Sequence, residues 1–257
     1  MKIKHKLRFA LDNLFKGYYL EKYILKDGKN HPVAIICPGG GYHRVCSFIE
    51  GLPYAKKLND MGYSAIVVHY RCGKKYPYPV PQEDLARAIR FVLDKKDQWN
   101  LDMEGYSLWG SSAGGHLAAS FGTDAMGYKN YNLPKPGALI LTYPVVTMGE
   151  KAHEGSRNYL LGENQSPKRI EFASIEKQLT PDYPPTFLWC GLDDDCVDPE
   201  NSCMLAKALE EQKVTHVFLP IKGVNHGVGT GEGLPCEGWF EKAVHFWEEQ
   251  SCFFEKM

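Results

Sequence analysis

The chain has 257 residues, 44% apolar and 24% charged, which is ordinary for a globular protein and too apolar for a disordered one. At about 100–200 residues per domain, this length predicts one domain over residues 1–257, with a core that needs no disulfide or metal to hold it. Thirty Lys and Arg against 31 Asp and Glu leave a net charge of −1, so nothing electrostatic draws the chain to nucleic acid or an anionic membrane.

In chain order, the first apolar stretch is Leu7–Leu11, broken by Arg8 and stopped by Asp12. A secretory signal needs about 7–15 uninterrupted apolar residues, and no run approaches the ~18 of a membrane span. Strand-like runs follow at Val33–Cys37, Ser64–Tyr70, Tyr106–Gly110, Leu139–Tyr143, Thr186–Cys190 and Val217–Leu219, each short and bounded by Gly, Pro or charge. Helical spacing of apolar residues fills the gaps at Leu52–Met61, Pro81–Lys96, Pro199–Gln212 and Trp239–Phe246. This alternation predicts an α/β fold, a mostly parallel central sheet with helices on both faces. Residues 144–185 break the rhythm and predict a small cap, with short helices at Asn158–Leu161 and Ser166–Ile175. The eight cysteines include no CxxC pair, so they are expected to be reduced thiols in a cytoplasmic protein.

Three segments carry chemistry. Gly110-Ser111-Ser112-Ala113-Gly114 fits GxSxG and joins a strand to a helix pattern. A serine on such a tight turn has an exposed hydroxyl beside a helix N-terminus, as a nucleophile requires. Pro38-Gly39-Gly40-Gly41-Tyr42 follows the strand ending at Cys37, and its glycines let main-chain N–H groups approach a developing oxyanion. Gly40 and Gly41, with Ala113 after the serine, are the candidate donors. Beyond two later strands come Asp193-Asp194-Asp195 and Asn225-His226-Gly227, where sites form in open α/β sheets. Ser112, an Asp and His226, in that chain order, make a nucleophile, acid and base. Spacing alone leaves Asp193, Asp194 and Asp195 as rivals for the acid.

Cofactor motifs are lacking. Gly110 and Gly115 have phosphate-loop spacing, but His116 stands where Lys is required. Gly39–Gly41 begins like a dinucleotide fingerprint, but Arg44 occupies its last position. The nine histidines show no HExxH-like spacing, so neither a cofactor nor a metal is expected. Tyr42, Tyr70 and Tyr143 fall at expected strand ends, as do Tyr76 and Tyr78, and are candidates to line the substrate site. His43, Arg44 and Arg71 are polar groups expected near its mouth, and His116 is expected to be structural.

The chain resembles α/β-hydrolases of the esterase/lipase group, above all the acetyl-xylan-esterase-like bacterial carbohydrate esterases. The matching segments are PGGGY at 38–42, EGLPYAKKLNDMGYSAIVVHYR at 50–71, DLARAIRFV at 84–92, GSSAGGHLAAS at 110–120, TYPV at 142–145, DDDCVDPENS at 193–202 and GVNHGVG at 223–229. The resemblance implies Ser112 as nucleophile, His226 as base and Asp194 as acid, from GxxDxxV spacing between Gly191 and Val197. Two departures stand out: Asp198 separates Val197 from Pro199, and Pro38 replaces the His that precedes the glycines in hormone-sensitive-lipase relatives. The implied activity is hydrolysis of short-chain esters, including acetyl esters of sugars or xylo-oligosaccharides, with a small-molecule ester as partner and a homodimer as candidate assembly. The rivals are a peptidase and a non-catalytic binding member of the same fold.

Overall fold

The computed structural model describes residues 17–251. The N-terminal apolar stretch around Leu7–Leu11 and Cys252 lie outside the described residues. Seven strands form one sheet: β1 (Tyr19–Tyr23), β2 (His31–Cys37), β3 (Ser64–His69), β4 (Leu101–Ser111), β5 (Ala138–Thr142), β6 (Thr186–Gly191) and β7 (His216–Ile221). Their order is β1-β3-β2-β4-β5-β6-β7. β1 runs antiparallel to β3 at the edge, and all other pairings are parallel. β1 escaped the sequence reading because Glu21 and Lys22 interrupt its apolar pattern.

Successive strand side chains point to opposite faces, and both faces here are apolar. Val33, Ile35, Ile66, Val68, Leu108, Leu139 and Leu141 fill one core. Helices α3 (Val80–Lys95), α4 (Ser112–Phe121) and α7 (Glu200–Glu211) pack there through Leu85, Ile89, Leu117, Leu205 and Leu209. Ala34, Ile36, Val67, Trp109, Ile140 and Trp189 face the other core, against α2 (Leu52–Asp60) and α8 (Trp239–Gln250), which follow the short α1 (Ser47–Glu50) and the last strand. Each large side chain so buried contributes on the order of 2 kcal/mol. α8 runs beyond its expected end because Trp247 still faces the core.

Strand order reverses between β2 and β4, since β3 lies on one side of β2 and β4 on the other. A crevice opens at such a reversal, outside the carboxyl ends of the strands. Cys37 pairs with Gly110, so the loops leaving β2 and β4 start side by side. Gly191 pairs with Ile221, which does the same for the loops leaving β6 and β7.

Between β5 and β6 the chain forms α5 (Glu154–Leu161), α6 (Pro167–Ala173) and a single 3-10 turn at Ile175–Lys177. This stretch is tied down to the body. Asn201 accepts the N–H groups of Val146 and Thr147, and Ile175 N–H donates to Val146. Among the described residues, no helix is long and apolar enough to cross a membrane.

Candidate active site

β4 ends at Ser111, and Ser112 opens α4 with φ +53°. A left-handed backbone at a non-glycine residue is strained and persists only where its surroundings enforce it. The enforcement is close approach. A Cβ on Gly114 would strike the carbonyls of Cys37 and Pro38, and one on Gly39 would fall 2.7 Å from Ser112 Cβ. Glycine at both positions lets α4 and the 38–41 loop close on the turn.

Ser112 Oγ lies 2.8 Å from His226 Nε2, and His226 Nδ1 lies 2.7 Å from Asp194 Oδ2. Asp194 is buried, and its other oxygen accepts the N–H groups of Cys196 and Val197, both at 2.9 Å. Its neighbours do not compete. Asp193 is exposed and accepts Gly223 N–H, linking the two loops, and Asp195 is exposed. Asp198, the residue that departs from the expected pattern, pairs with Lys151 and accepts Glu200 N–H at the start of α7. An imidazole bound to a carboxylate at Nδ1 and to a hydroxyl at Nε2 is set to accept the hydroxyl proton.

Gly40 and Gly41 have φ of +123° and +66°. Among the described residues neither N–H is taken by a protein acceptor, and Ala113 N–H lies in the first turn of α4, where helix donors are left free. The loop itself is fixed. Cys46 N–H donates to Gly39, His43 and Arg44 N–H groups donate to Gly40, and Gly39 N–H donates to the Glu50 carboxylate at 2.7 Å.

The candidate substrate tyrosines sit within the scaffold of the site. Tyr42, Tyr70 and Tyr143 are 1%, 2% and 1% exposed, and each hydroxyl points into the protein. Tyr70 donates to Pro38 O at 2.7 Å, and Tyr143 donates to Glu50 at 2.9 Å. Tyr42 bonds His116 Nδ1 at 2.9 Å, and His116 Nε2 donates to Ala173 O at 2.8 Å. Buried tyrosines need a partner for the hydroxyl, and here the site's own scaffold supplies it. Burial lowers the His116 pKa to about 4, so this histidine is a neutral strut, as expected. Tyr143 packs its ring against His226 with centroids 4.8 Å apart. Arg71 is engaged with buried Asp84. His43 and Arg44 line a recess of about 720 Å³ that includes neither Ser112, Asp194 nor His226.

Two residues went unremarked in the sequence. His153 precedes α5, and its Nδ1 accepts Ser156 N–H at 3.1 Å, which caps the helix. Burial and the nearby His226 lower its pKa, and it lines a recess that also includes Asp194. Glu50 is 3% exposed, and burial pushes its carboxyl pKa up. Neither lies in a motif with a chemical signature, so only spatial proximity reveals them. Among the described residues, no three His, Cys, Asp or Glu side chains gather as a metal site would need.

The sequence pattern of the BD-FAE family matches residues 20–209. Endo-1,4-beta-xylanase B of Butyrivibrio fibrisolvens is 31% identical over 226 residues, 84% of this chain and 35% of that protein. An acetylxylan esterase of Xylanibacter ruminicola is 30% identical over 63% of this chain and 33% of its own length. The chain thus spans about a third of these curated relatives. Among solved structures, an acetyl ester-xyloside bifunctional hydrolase from Caldicellulosiruptor lactoaceticus superposes with TM-score 0.81 at 36% identity, over 90% of this chain and 88% of that one. A sugar hydrolase from Lactococcus lactis gives TM-score 0.77 at 26% identity, over 91% and 94%.

Proposed function

The chain belongs to the BD-FAE family, and we propose that it is a serine esterase that removes short acyl groups, acetyl above all, from sugars or xylo-oligosaccharides. The observation that carries this reading is the hydrogen-bonded series Ser112–His226–Asp194 at the left-handed turn between β4 and α4. Ser112 Oγ attacks the ester carbonyl carbon while His226 Nε2 takes its proton. Asp194 steadies the imidazolium through Nδ1–H. The carbonyl oxygen, now an oxyanion, is held by the N–H groups of Gly40, Gly41 and Ala113. Collapse breaks the bond to the alcohol, which leaves with the proton from His226. Water, deprotonated by His226, then attacks the acyl-serine and releases the acid.

The sugar side of the substrate is supported by the names of the relatives, an acetylxylan esterase and an acetyl ester-xyloside hydrolase. Residues 144–185 serve as a small cap. Lys168, Glu171 and Lys177 on it are exposed, which gives the cap no continuous apolar face for a long acyl chain. Each methylene accepted by a pocket adds on the order of 1 kcal/mol, so a deep groove would favour long esters. The test is kcat/KM for p-nitrophenyl esters of rising length beside acetylated xylo-oligosaccharides. Acetate to butyrate should be preferred, and the oligosaccharides should release acetate. An optimum at octanoate, with acetylated oligosaccharides untouched, would replace the sugar-esterase reading with a lipase.

A further inference from the structure

The 50–71 segment that matches carbohydrate esterases begins with a residue that takes no part in the acid–base series. Glu50 ends α1 with its carboxylate turned into the floor of the site. Oε2 accepts Gly39 N–H at 2.7 Å, and Oε1 accepts the Tyr143 hydroxyl at 2.9 Å. The Tyr143 oxygen in turn accepts Gly229 N–H at 3.3 Å. Gly39 opens the oxyanion loop, Tyr143 follows β5, and Gly229 lies three residues beyond His226. One buried carboxylate therefore reaches three of the loops that build the site. Tyr54, in the same 50–71 segment, adds a parallel tie, because its hydroxyl donates to Gly229 O at 3.3 Å.

Burying a carboxylate is costly, and an apolar side chain would fill the space more cheaply. We propose that Glu50 is a positioning residue for the ester cleavage, holding the oxyanion loop and the His226 loop in one register. The inference rests on the esterase reading above. The titratable groups facing Glu50 are Cys46 before α1, Tyr54 on α2, Tyr143 after β5 and His226 after β7. Asp194, His153 and Tyr143 surround His226 from the other elements. Burial raises the Glu50 pKa, while Gly39 N–H, Tyr143 and His226 favour its ionised form.

A carboxyl whose pKa is raised in the folded state contributes stability that is lost as pH rises through that pKa.

Glu50→Gln and Tyr143→Phe are compared with the wild type for kcat and KM on p-nitrophenyl acetate, with melting temperatures alongside. Wild-type turnover and labelling by a fluorophosphonate come first, because failure there is failure of the esterase reading. In Glu50→Gln kcat should fall about tenfold at unchanged KM, with the fold kept. Tyr143→Phe cuts the link from Glu50 to Gly229 and should lower kcat in the same way. Wild-type kcat in folded Glu50→Gln overturns the proposal. If Glu50→Gln does not fold, Tyr143→Phe decides: lowered kcat at unchanged KM supports the proposal, and wild-type kcat overturns it.

Discussion

On the β2–β4 side of the site, Ser112 and the Gly39–Gly41 loop are placed by main chain. Cys37 pairs with Gly110, Ser112 is held at φ +53°, and Gly114 admits the carbonyls of Cys37 and Pro38. On the β6–β7 side, Asp194 and His226 ride on loops placed by side-chain hydrogen bonds. Asp194 accepts two N–H groups of its own loop, and Asp193 reaches across to Gly223. The first arrangement is mainly steric, and its titratable tie is the Glu50 carboxylate at Gly39 N–H. The second depends on carboxylates and an imidazole, and so on charge. Substitutions on the two sides should therefore fail differently, one through geometry and one through protonation.

The largest effect belongs to the reacting atom. Ser112→Ala should remove ester turnover by about four to six decades, to a residue owed to the oxyanion donors. Alanine tolerates the same turn as serine, so the melting temperature should barely move. Single-turnover assays with acetylated substrate, beside a melt, check both. On the other side, Asp194→Asn should cost about two to four decades in kcat with the fold intact. The exposed Asp193 and Asp195 should each cost less than about tenfold as Asn. Equal and mild losses at all three positions would show that this loop only solvates the end of β6.

The two sides were also unequally legible in the sequence. GxSxG and the glycine run announce their side directly, because a tight turn and a close approach can be built from few residue types. The acid was narrower than its motif. Three consecutive aspartates look alike in a string; the GxxDxxV spacing favoured Asp194, and in the structure its bond to His226 and its burial set it apart from the exposed Asp193 and Asp195. Six of the seven strands were readable from apolar runs, whereas β1 was hidden by Glu21 and Lys22 on an edge. The direction of the tyrosines was not legible for a physical reason: the sequence locates a ring at a strand end but not the way it turns. Tyr42, Tyr70 and Tyr143 turn inward because His116, Pro38 O and Glu50 offer partners there.

A smaller effect sharpens the steric half. Gly114→Ala must push α4 away from the loop leaving β2, since its new methyl meets backbone carbonyls that cannot rotate aside. Overpacking of this kind costs about 1–3 kcal/mol, and the shift should lower kcat by about ten- to a hundredfold. The shape of the pH profile should stay as in the wild type, because the Asp194–His226 pair lies on the other side. A displaced acid limb in this variant would mean that the two sides are not separately held.

The smallest effect on turnover is expected one residue from the largest. Ser111 is 1% exposed; its hydroxyl accepts from Thr142 at 2.7 Å and donates to Tyr54 at 3.3 Å. It faces the scaffold, while Ser112 faces His226. Ser111→Ala leaves the Thr142 hydroxyl buried without its acceptor, which costs about 1–2 kcal/mol. Tyr54 keeps its bond to Gly229 O, so the His226 loop retains that tie. The main-chain turn at Ser112 is untouched, and kcat/KM should remain within about threefold of wild type, a loss under ~1 kcal/mol in the barrier. Ser111→Ala should therefore melt lower and still turn over, whereas Ser112→Ala should melt normally and not turn over. Measuring both quantities for both variants separates the hydroxyl that reacts from the hydroxyl that holds. If Ser111→Ala proved inactive and Ser112→Ala active, the nucleophile would have to be assigned one position earlier, on the strand rather than on the turn.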